Sequence, residues 1–490
     1  MLHPDSTIHQ TAKNQKKVDD SAHVRTKCSL GKFFMSFWSI MLLGKYMFDN
    51  VVEEIPEYKA FYTIDELKAN SEELAHKYPD KVKIFEIGKS RKGEKIKALR
   101  IGRGKKTALL FGFPHPNEPI GSMTLEYFSW RLAEDETLDK LDFTWYIIKC
   151  IDPDGARLNE GWFRGPFTPF NYAMNFYRPP GYLQIEWTFP IKYKTLLWDR
   201  PIPETRALMT IMEDVKPQFM YSLHNSGFGG VYFYVSSRCK PLYAKFQNLA
   251  KKEKLPLHLG EPEAPYMEKL AKAIFKMPTS AERYEFLKQH TKKDPAKIIN
   301  YGTSSDDYAR RVAGSFTLVC EMPYYYDPRI GNTSKSDVIR RDAVLHSLKL
   351  AEERFNFIKE KYSGVKAAVR KSKEKKPFVD AIEDSLKHFP DYLVAQRHWA
   401  DTDQTLRRKA TVAEKFDSHV ISLFYGLLSL GMLYRCVKNT KNQKVEKEIL
   451  QRMTKWNENL EKQLSYKVIP IKSLVKVQLG SALYTAQYLG

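Results

Sequence analysis

The sequence predicts an α/β protein in which a mixed, twisted sheet is flanked by helices. Between residues 51 and 362, short apolar runs typical of buried strands alternate with helical patterns. Several of these runs end in loops that carry His or Glu, at the strand ends where such sheets place their ligands. With 490 residues, 43% of them hydrophobic, the chain is long enough for one large domain with an appendage.

The predicted elements follow one another along this region. Two strands flank a Gly- and Lys-rich turn and predict a hairpin, at residues 82–88 and 96–101. Further short strands are predicted at residues 107–113, 143–150, 219–223, 231–235 and 316–322. Helices are predicted between them, for example at residues 122–138 and 204–215.

Beyond Asp337 the pattern becomes helical, with apolar residues at heptad-like spacing. We therefore expect three regions: an N-terminal extension at 1–50, the α/β region at 51–362 and a helical region at 363–490. A basic run from Lys366 to Lys376 predicts a solvated linker or a helix end. The helical region is expected to pack on the α/β region, to assemble an oligomer or to wall a cleft.

Two apolar stretches raise the question of a membrane. Residues 33–44 are uncharged but too short for a clean span, so an interfacial anchor is the alternative. Met35, Met41 and Met47 are alternative starts, and no function is built on the residues before them. Residues 418–434 lack Asp, Glu, Lys and Arg and predict a buried central helix rather than a span.

The net charge and the cysteine content indicate which binding partners and which cellular compartment to expect. The chain carries 79 Lys and Arg against 58 Asp and Glu, a net charge of +21, without a nucleic-acid-binding signature. We expect a solvated basic surface and no specific nucleic acid. The 5 cysteines are far apart and form no C-x-x-C pair, which fits a reducing compartment. A cytoplasmic protein is expected, with membrane association through residues 33–44 as the alternative.

The candidate catalytic and metal-binding residues lie at the ends of two predicted strands and within a third. The segment TALLFGFPHPNEPIG places His115 and Glu118 in a loop after an apolar strand, and zinc accepts both side chains. His224 in FMYSLHNSGFGG again lies where an apolar strand meets a Gly-rich loop. Glu321 interrupts the apolar strand SFTLVCEMPYYY, and a buried carboxylate there is expected to face a cation or a cleft.

Taken together, these motifs resemble the zinc metallocarboxypeptidases of the carboxypeptidase A/B superfamily, as a bacterial-type member, over about residues 58–330. The resemblance rests on the order of six features, namely EIGKSRKGEKI, HPNE, IDPDG, HNS, SSDDY and Glu321. It implies a sheet of eight strands and one zinc ion per chain. It makes His115, Glu118 and His224 the zinc ligands and Glu321 the general base.

The resemblance also assigns groups that contact the substrate. An arginine after IDPDG polarises the scissile carbonyl, and Arg164 is favoured over Arg157 by its distance from Gly155. The substrate's terminal carboxylate is held in the family by an adjacent Asn-Arg pair. Here Asn175 and Arg178 are separated by two residues, which makes endopeptidase or amidase action the alternative.

Two further residues come from the segment IINYGTSSDDY. Tyr301 is the candidate for the tyrosine that covers the substrate, with Tyr308 as its competitor. Asp306 matches the position that sets side-chain preference, where Asp favours Lys or Arg. Its alternative roles are capping a helix and binding another loop.

The expected function is a zinc-dependent carboxypeptidase acting on peptides with a free C terminus, by metal-activated water. The first alternative is a zinc amidohydrolase or endopeptidase acting on cell-wall peptides or acylated amino acids. The second is an inactive peptide-binding protein. The natural substrate and the oligomeric state are left open.

Overall fold

The computed structural model describes residues 48–490. The chain divides into two units, residues 1–50 and 51–490. The predictions for residues 33–44, and for Met35, Met41 and Met47 as starts, lie outside the described residues.

A mixed sheet runs through the second unit. In chain order the strands are β1 (Val82–Lys89), β2 (Lys95–Ile101), β3 (Lys106–Phe111), β4 (Phe143–Ile148), β5 (Ile191–Tyr193), β6 (Leu196–Trp198), β7 (Phe219–Phe228), β8 (Tyr232–Val235), β9 (Lys269–Ala271), β10 (Ile274–Lys276), β11 (Phe316–Tyr326), β12 (Lys335–Ile339), β13 (Lys409–Thr411) and β14 (Lys467–Val468). The sheet order is β1-β2-β4-β3-β7-β11-β8-β10-β9, and β14 pairs with β11 outside this path. Strands β5 and β6, and strands β12 and β13, form two separate hairpins.

The predicted α/β class with a central mixed sheet is confirmed. Strands β4, β3, β7 and β11 are parallel neighbours. Antiparallel pairs join β1 to β2, β2 to β4 and β8 to β11. The described sheet has ten strands rather than the expected eight. The excess comes from short strands such as β14, a two-residue strand from the helical C-terminal region that no alternating pattern reveals.

The helices surround this sheet. In chain order they are α1 (Asp49–Glu53), α2 (Ile64–Lys77), α3 (Ile120–Glu134), α4 (Pro153–Arg157), α5 (Pro169–Asn175), α6 (Pro203–Val215), α7 (Lys240–Lys252), α8 (Ser280–His290), α9 (Ser305–Ala313), α10 (Arg340–Val369), α11 (Lys376–Thr402), α12 (Val412–Phe416), α13 (Ser422–Val437), α14 (Gln443–Gln463) and α15 (Ile471–Leu489). A π-helical turn at Asp417–Ile421 joins α12 to α13. Short 3-10 turns occupy several of the loops.

Alternation along β7 assigns the helices to the two faces of the sheet. Met220 packs in an apolar cluster with Leu208 of α6 and Ala309 of α9. Tyr221 points the other way, and its hydroxyl meets Ser481 of α15 at 3.0 Å. Helix α15 also packs against α3 and α7. The C-terminal helix thus covers one face of the sheet, with α6 and α9 on the other.

The C-terminal helices continue the same unit. Helix α10 runs from Arg340 to Val369 and crosses residue 362, where the sequence placed the end of the α/β region. The helix predicted at residues 418–434 is confirmed as buried, since 72% of the most apolar window of the segment Val412–Val437 is inside the structure. By length and composition that segment is the one described helix apolar enough to cross a membrane. It packs closely on α5, where a Cβ at Gly431 would lie 1.9 Å from the carbonyl oxygen of Ala173.

Candidate active site

A cavity of about 660 Å³ opens at the end of the sheet where the central strand β3 finishes. Strand β3 ends at Phe111, opposite Ser222 in β7, so the loop after β3 meets the second half of β7. His224 is the direct neighbour of Glu321 in the parallel pair β7–β11. The predicted strand-end residues therefore reach one place by strand register alone, and His115, Glu118, His224 and Glu321 all line the cavity.

The first three of these residues form a buried cluster of metal-binding type. One ligand atom from each of His115, Glu118 and His224 lies within 4.8 Å of the others. The two imidazole rings are 5.0 Å apart between centroids, and His224 Nδ1 is 3.1 Å from Glu118 Oε2. His115 Nδ1 is buried without a hydrogen-bond partner. Burial lowers the pKa of His115 well below its usual value, so it presents a neutral nitrogen lone pair.

Glu321 faces the same cluster from β11. Its Oε1 lies 3.8 Å from His224 Nδ1, and its Oε2 is buried without a hydrogen-bond partner. Burial raises the pKa of Glu321 well above its usual value, and His224 opposes that effect. A carboxylate with one free oxygen beside a cationic centre can accept and return a proton.

A hydrogen-bond network holds His224 and Glu118 in place. Glu118 Oε2 accepts the backbone N–H of Asn225 at 3.1 Å. On the far side of the ring, His224 Nε2 meets Ser222 Oγ at 2.8 Å and lies 3.9 Å from Glu186 Oε2. Glu186 in turn accepts the hydroxyl and the backbone N–H of Ser305, at the start of α9. His224 therefore turns Nδ1 toward Glu118 and the cavity.

Positive charge is favoured within this cluster. Burial by itself lowers the pKa of His224, but the Glu118 carboxylate beside it, helped by Glu321, raises that pKa to about 9. The two carboxylates thus attract a proton in the space between the three side chains. A metal ion held there would supply the same compensating charge.

Comparison with known proteins agrees with this geometry. Residues 67–167, which include His115 and Glu118, match the family described as Zinc carboxypeptidase. The match does not extend to His224 or Glu321.

The chain also resembles individual carboxypeptidases and an inactive metallocarboxypeptidase over short stretches. It is 27% identical over 129 residues to Zinc carboxypeptidase A 1 of Anopheles gambiae, covering 24% of this chain and 30% of that protein. Carboxypeptidase B of Astacus astacus is 28% identical over 107 residues, covering 20% and 35%. The Inactive metallocarboxypeptidase ecm14 of Talaromyces marneffei is 28% identical over 97 residues, covering 17% and 16%. The aligned stretches span about a third or less of these relatives.

A solved carboxypeptidase structure resembles this chain only loosely. The carboxypeptidase A from Helicoverpa armigera is 16% identical, with a TM-score of 0.35 over 59% of this chain and 72% of that one.

The donor set fits zinc. Two imidazoles and one carboxylate are the ligands of many catalytic zinc sites, which keep a further position open. The buried Nδ1 of His115 without a partner, and the approach of His224 Nδ1 to Glu118, place the donors around one point. His115, Glu118 and His224 are the residues that would hold the ion.

Arg164 and Arg157 lie away from this site. Arg164 has an exposed side chain whose Nη2 lies 2.5 Å from Glu66 Oε1 in α2. Arg157 is bound between Asp65 and Glu94. Neither arginine lines the cavity. Both arginines form ion pairs with residues about 60 to 100 positions earlier in the chain. Distance from Gly155 along the sequence was therefore a poor guide to the arginine that reaches the substrate.

Of the predicted Asn-Arg pair, only one member reaches the cavity. Arg178 lines it, with Nη1 3.2 Å from Glu118 Oε1. Asn175 is the last residue of α5, and its amide donates to the carbonyl oxygen of Asn171 at 3.0 Å. Among the described residues that line the cavity, Arg178 is the only arginine.

The residues predicted from IINYGTSSDDY lie behind the cavity wall. Tyr301 packs at a tilt against Trp187, which does line the cavity, with ring centroids 5.7 Å apart. Asp306 is buried in the first turn of α9, where burial raises its pKa to about 7. Tyr308 packs on Phe189 in the core, at 5.3 Å between ring centroids.

Sequence reasoning missed the groups that come from distant elements. Tyr425 of α13 projects into the cavity, and its hydroxyl donates to the carbonyl oxygen of Ser226 at 2.6 Å. Helices α10 and α11 add further lining residues, namely Val344, Ser347, Leu348, Tyr392, Gln396 and Trp399. Of the three roles considered for the helical region, walling the cleft is therefore observed. Of the contacts that sequence reasoning missed, only that between Ser222 and His224 joins residues close in sequence, two positions apart on β7.

Proposed function

We propose that this protein is a zinc-dependent metallopeptidase that removes C-terminal residues from peptides. The observation that carries the proposal is the convergence of His115, Glu118 and His224 on one point with Glu321 beside it. Zinc, when bound by these residues, supplies Lewis acidity that polarises a carbonyl and acidifies water.

Glu321 is the residue that moves the proton. Its side chain lines the cavity and its Oε2 has no hydrogen-bond partner, so this carboxylate would take the proton of the attacking water and deliver it to the amine that leaves. Ser222 and Glu186 keep His224 in the ring orientation that the site needs. Glu321 contributes proton transfer, and the three ligands hold the ion.

Arg178 supplies positive charge to the substrate. Its guanidinium has one bond to Glu118 and retains further N–H groups for a terminal carboxylate or for the oxyanion of the tetrahedral intermediate. Arg164 and Arg157 are held in ion pairs away from the cavity. Arg178 therefore supplies the positive charge that the family resemblance assigned to two separate arginines.

The cavity favours small substrates or chain ends. Its volume is in the range of small-molecule sites, and helices α10, α11 and α13 close the side opposite the sheet. A preference for Lys or Arg side chains through Asp306 stays a prediction, because Asp306 does not line the cavity. The cytoplasmic location also stays a prediction.

The same observations support one second candidate, a zinc amidohydrolase acting on small acylated amino acids or cell-wall peptides. Asn175 lies outside the cavity, so the carboxylate-binding pair of an exopeptidase is incomplete. An inactive peptide-binding role is the remaining alternative, and the free Glu321 Oε2 argues against it.

Mass spectrometry of short peptides incubated with the zinc-loaded protein separates these functions. Each peptide is offered with a free and with an amidated C terminus. Loss of single residues from free C termini alone supports the carboxypeptidase. Equal cleavage of both forms would replace it by the amidohydrolase, and cleavage of neither, together with peptide binding, would leave the inactive binding role.

A further inference from the structure

Two basic segments of the helical region carry much of the net charge of the chain. Residues 366–376 span the end of α10, the turn after it and the first residue of α11, and they contain six Lys or Arg against one Glu. Residues 435–447 span the end of α13, the next turn and the start of α14, with five Lys or Arg against one Glu. Together the two segments hold a net charge of +9, out of +21 for the whole chain.

These two segments lie side by side in the structure. Lys375 Nζ donates to the carbonyl oxygen of Arg435 at 3.1 Å, and the Arg435 guanidinium lies 4.7 Å from the centre of the Phe378 ring. Nearby, Lys361 Nζ of α10 lies 2.8 Å from Glu448 Oε2 of α14. These contacts hold the turn between α10 and α11 against the turn between α13 and α14, so the two turns form one surface.

The charge on this surface is largely uncompensated. Arg370 and Lys376 are paired with Glu383 and Asp380, each at 2.7 Å. Six other basic residues are exposed and form no ion pair with a described residue, namely Lys371, Lys373, Lys438, Lys441, Lys444 and Lys447. We call these six lysines the basic end. Like charges at such density repel one another, and a partner with many negative charges relieves that repulsion.

The composition of the basic end indicates which polyanion it fits. Its free cations are all lysines, which act as point charges, whereas arginine supplies the bidentate contacts that recognise bases and single phosphates. Among the described residues, no exposed aromatic side chain lies in residues 366–376 or 435–447, so nucleic-acid bases find no ring on which to stack. A surface dense in anionic groups, without a shape to be recognised, fits best.

The sequence holds a second feature that favours a membrane. The apolar run at residues 33–44 is uncharged and too short for a span, and its expected role is an interfacial anchor. One weak anchor gives only reversible attachment, and stable attachment takes a second signal such as a polybasic patch. The basic end supplies that second signal, since lysines near an anionic leaflet are attracted to its headgroups.

We propose that the basic end binds the anionic headgroups of a membrane surface. This surface is separate from the candidate active site, because none of its six lysines lines the cavity. It is carried by the turns α10–α11 and α13–α14, which lie outside the residues that match the family.

Flotation of the full zinc-loaded chain with liposomes tests this binding. The liposomes contain phosphatidylcholine alone or phosphatidylcholine with phosphatidylserine, and each is used at low and at high salt. One variant combines Lys438→Gln, Lys441→Gln and Lys444→Gln, and a second carries Arg at the same three positions. The control removes three exposed, unpaired lysines near α7 and combines Lys251→Gln, Lys254→Gln and Lys272→Gln. Thermal unfolding checks that each variant is folded.

The native protein should bind the anionic liposomes at least about tenfold more tightly than the neutral ones, and added salt should weaken this binding. The Gln variant of the basic end should bind about 100-fold more weakly, since each lysine near an anionic surface contributes roughly a factor of five. The Arg variant should bind like the native protein, and the control should lose far less. Equal losses in the two Gln variants, or equal binding of neutral and anionic liposomes, would overturn the proposal.

Nucleic acid is the competing polyanion, and gel-shift assays with random-sequence RNA and duplex DNA on the same proteins separate it from lipid. Binding of nucleic acid that the Gln variant of the basic end loses, without binding of anionic liposomes by the native protein, would also overturn the proposal. Turnover of soluble peptides should be equal in the native protein and in this variant, because the three lysines lie outside the cavity. A protein that cleaves no peptide but keeps lysine-dependent liposome binding would contradict the peptidase and support the membrane surface.

Discussion

The side-chain amide of Gln478 donates a hydrogen bond to the carbonyl oxygen of His224 at 3.0 Å, across 254 positions of sequence. Gln478 is fully buried in α15, and its Oε1 accepts the hydroxyl of Thr124 at 2.9 Å. The C-terminal helix therefore holds the strand that carries the candidate metal ligand His224. The helical region belongs to the same compact unit as the candidate site.

Gln478→Leu should destabilise the protein by about 1–3 kcal/mol, because it removes two buried hydrogen bonds, one to the His224 carbonyl oxygen and one from the Thr124 hydroxyl. Urea denaturation followed by far-ultraviolet circular dichroism measures the change. The control is Gln247→Leu, whose amide makes a similar bond to the carbonyl of Lys272 at the surface and should cost less. Equal losses in the two variants would mean that Gln478 has no special place in the core.

Gly431→Ala tests the close contact between α13 and α5. The new methyl group would overlap the carbonyl oxygen of Ala173, so we expect a loss of more than about 2 kcal/mol or misfolding. Gly364→Ala in α10 is the matched control. Nothing lies within 4 Å of its Cβ position, and the better helix former should raise stability by up to about 1 kcal/mol. A harmless Gly431→Ala would show that the two helices are loosely packed.

Ser222→Ala and Glu186→Gln should weaken zinc binding by about 10- to 100-fold, since both side chains support the far nitrogen of His224. Competition with a zinc chelator gives the affinity. His258→Gln serves as control, because His258 lines the same cavity but lies outside the ligand cluster. Unchanged affinity in Ser222→Ala and Glu186→Gln would mean that His224 is oriented without them.

Asp306→Asn should stabilise the protein at neutral and higher pH. Burial raises the pKa of Asp306 to about 7 in the folded chain, so between about pH 4 and 7 the folded state holds a proton that the unfolded chain has released. Native stability therefore falls across this window, by at most about 4 kcal/mol from this group. Urea denaturation should show a gain for the variant at pH 8 that shrinks toward pH 5. A gain independent of pH would contradict the assignment.

The meeting of the candidate metal ligands with Glu321 was predictable because strand register brings these positions together. His115, His224 and Glu321 each follow or interrupt an apolar run, and the parallel pairs β3–β7 and β7–β11 place those positions at one edge. The polar residue at each position was visible in the sequence. Local pattern was therefore enough for this part of the site.

The rest of the site depends on contacts between distant segments. Arg164 was expected to reach the substrate, but its partner Glu66 lies 98 positions earlier and holds it at the surface. Tyr425 reaches the cavity only because α13 packs on α5, and no residue near it in sequence carries catalytic chemistry. Such contacts are properties of the folded chain, which local periodicity does not encode.

The most direct test of the central claim measures zinc content and peptide turnover on the same preparations of the native protein and of Glu321→Gln. If, as proposed, His115, Glu118 and His224 hold the zinc ion and Glu321 moves the proton, both proteins should bind one zinc ion per chain. Turnover should fall by several orders of magnitude in Glu321→Gln alone. Full turnover by Glu321→Gln, or a native protein that hydrolyses peptides equally well after its metal is removed, would contradict the account.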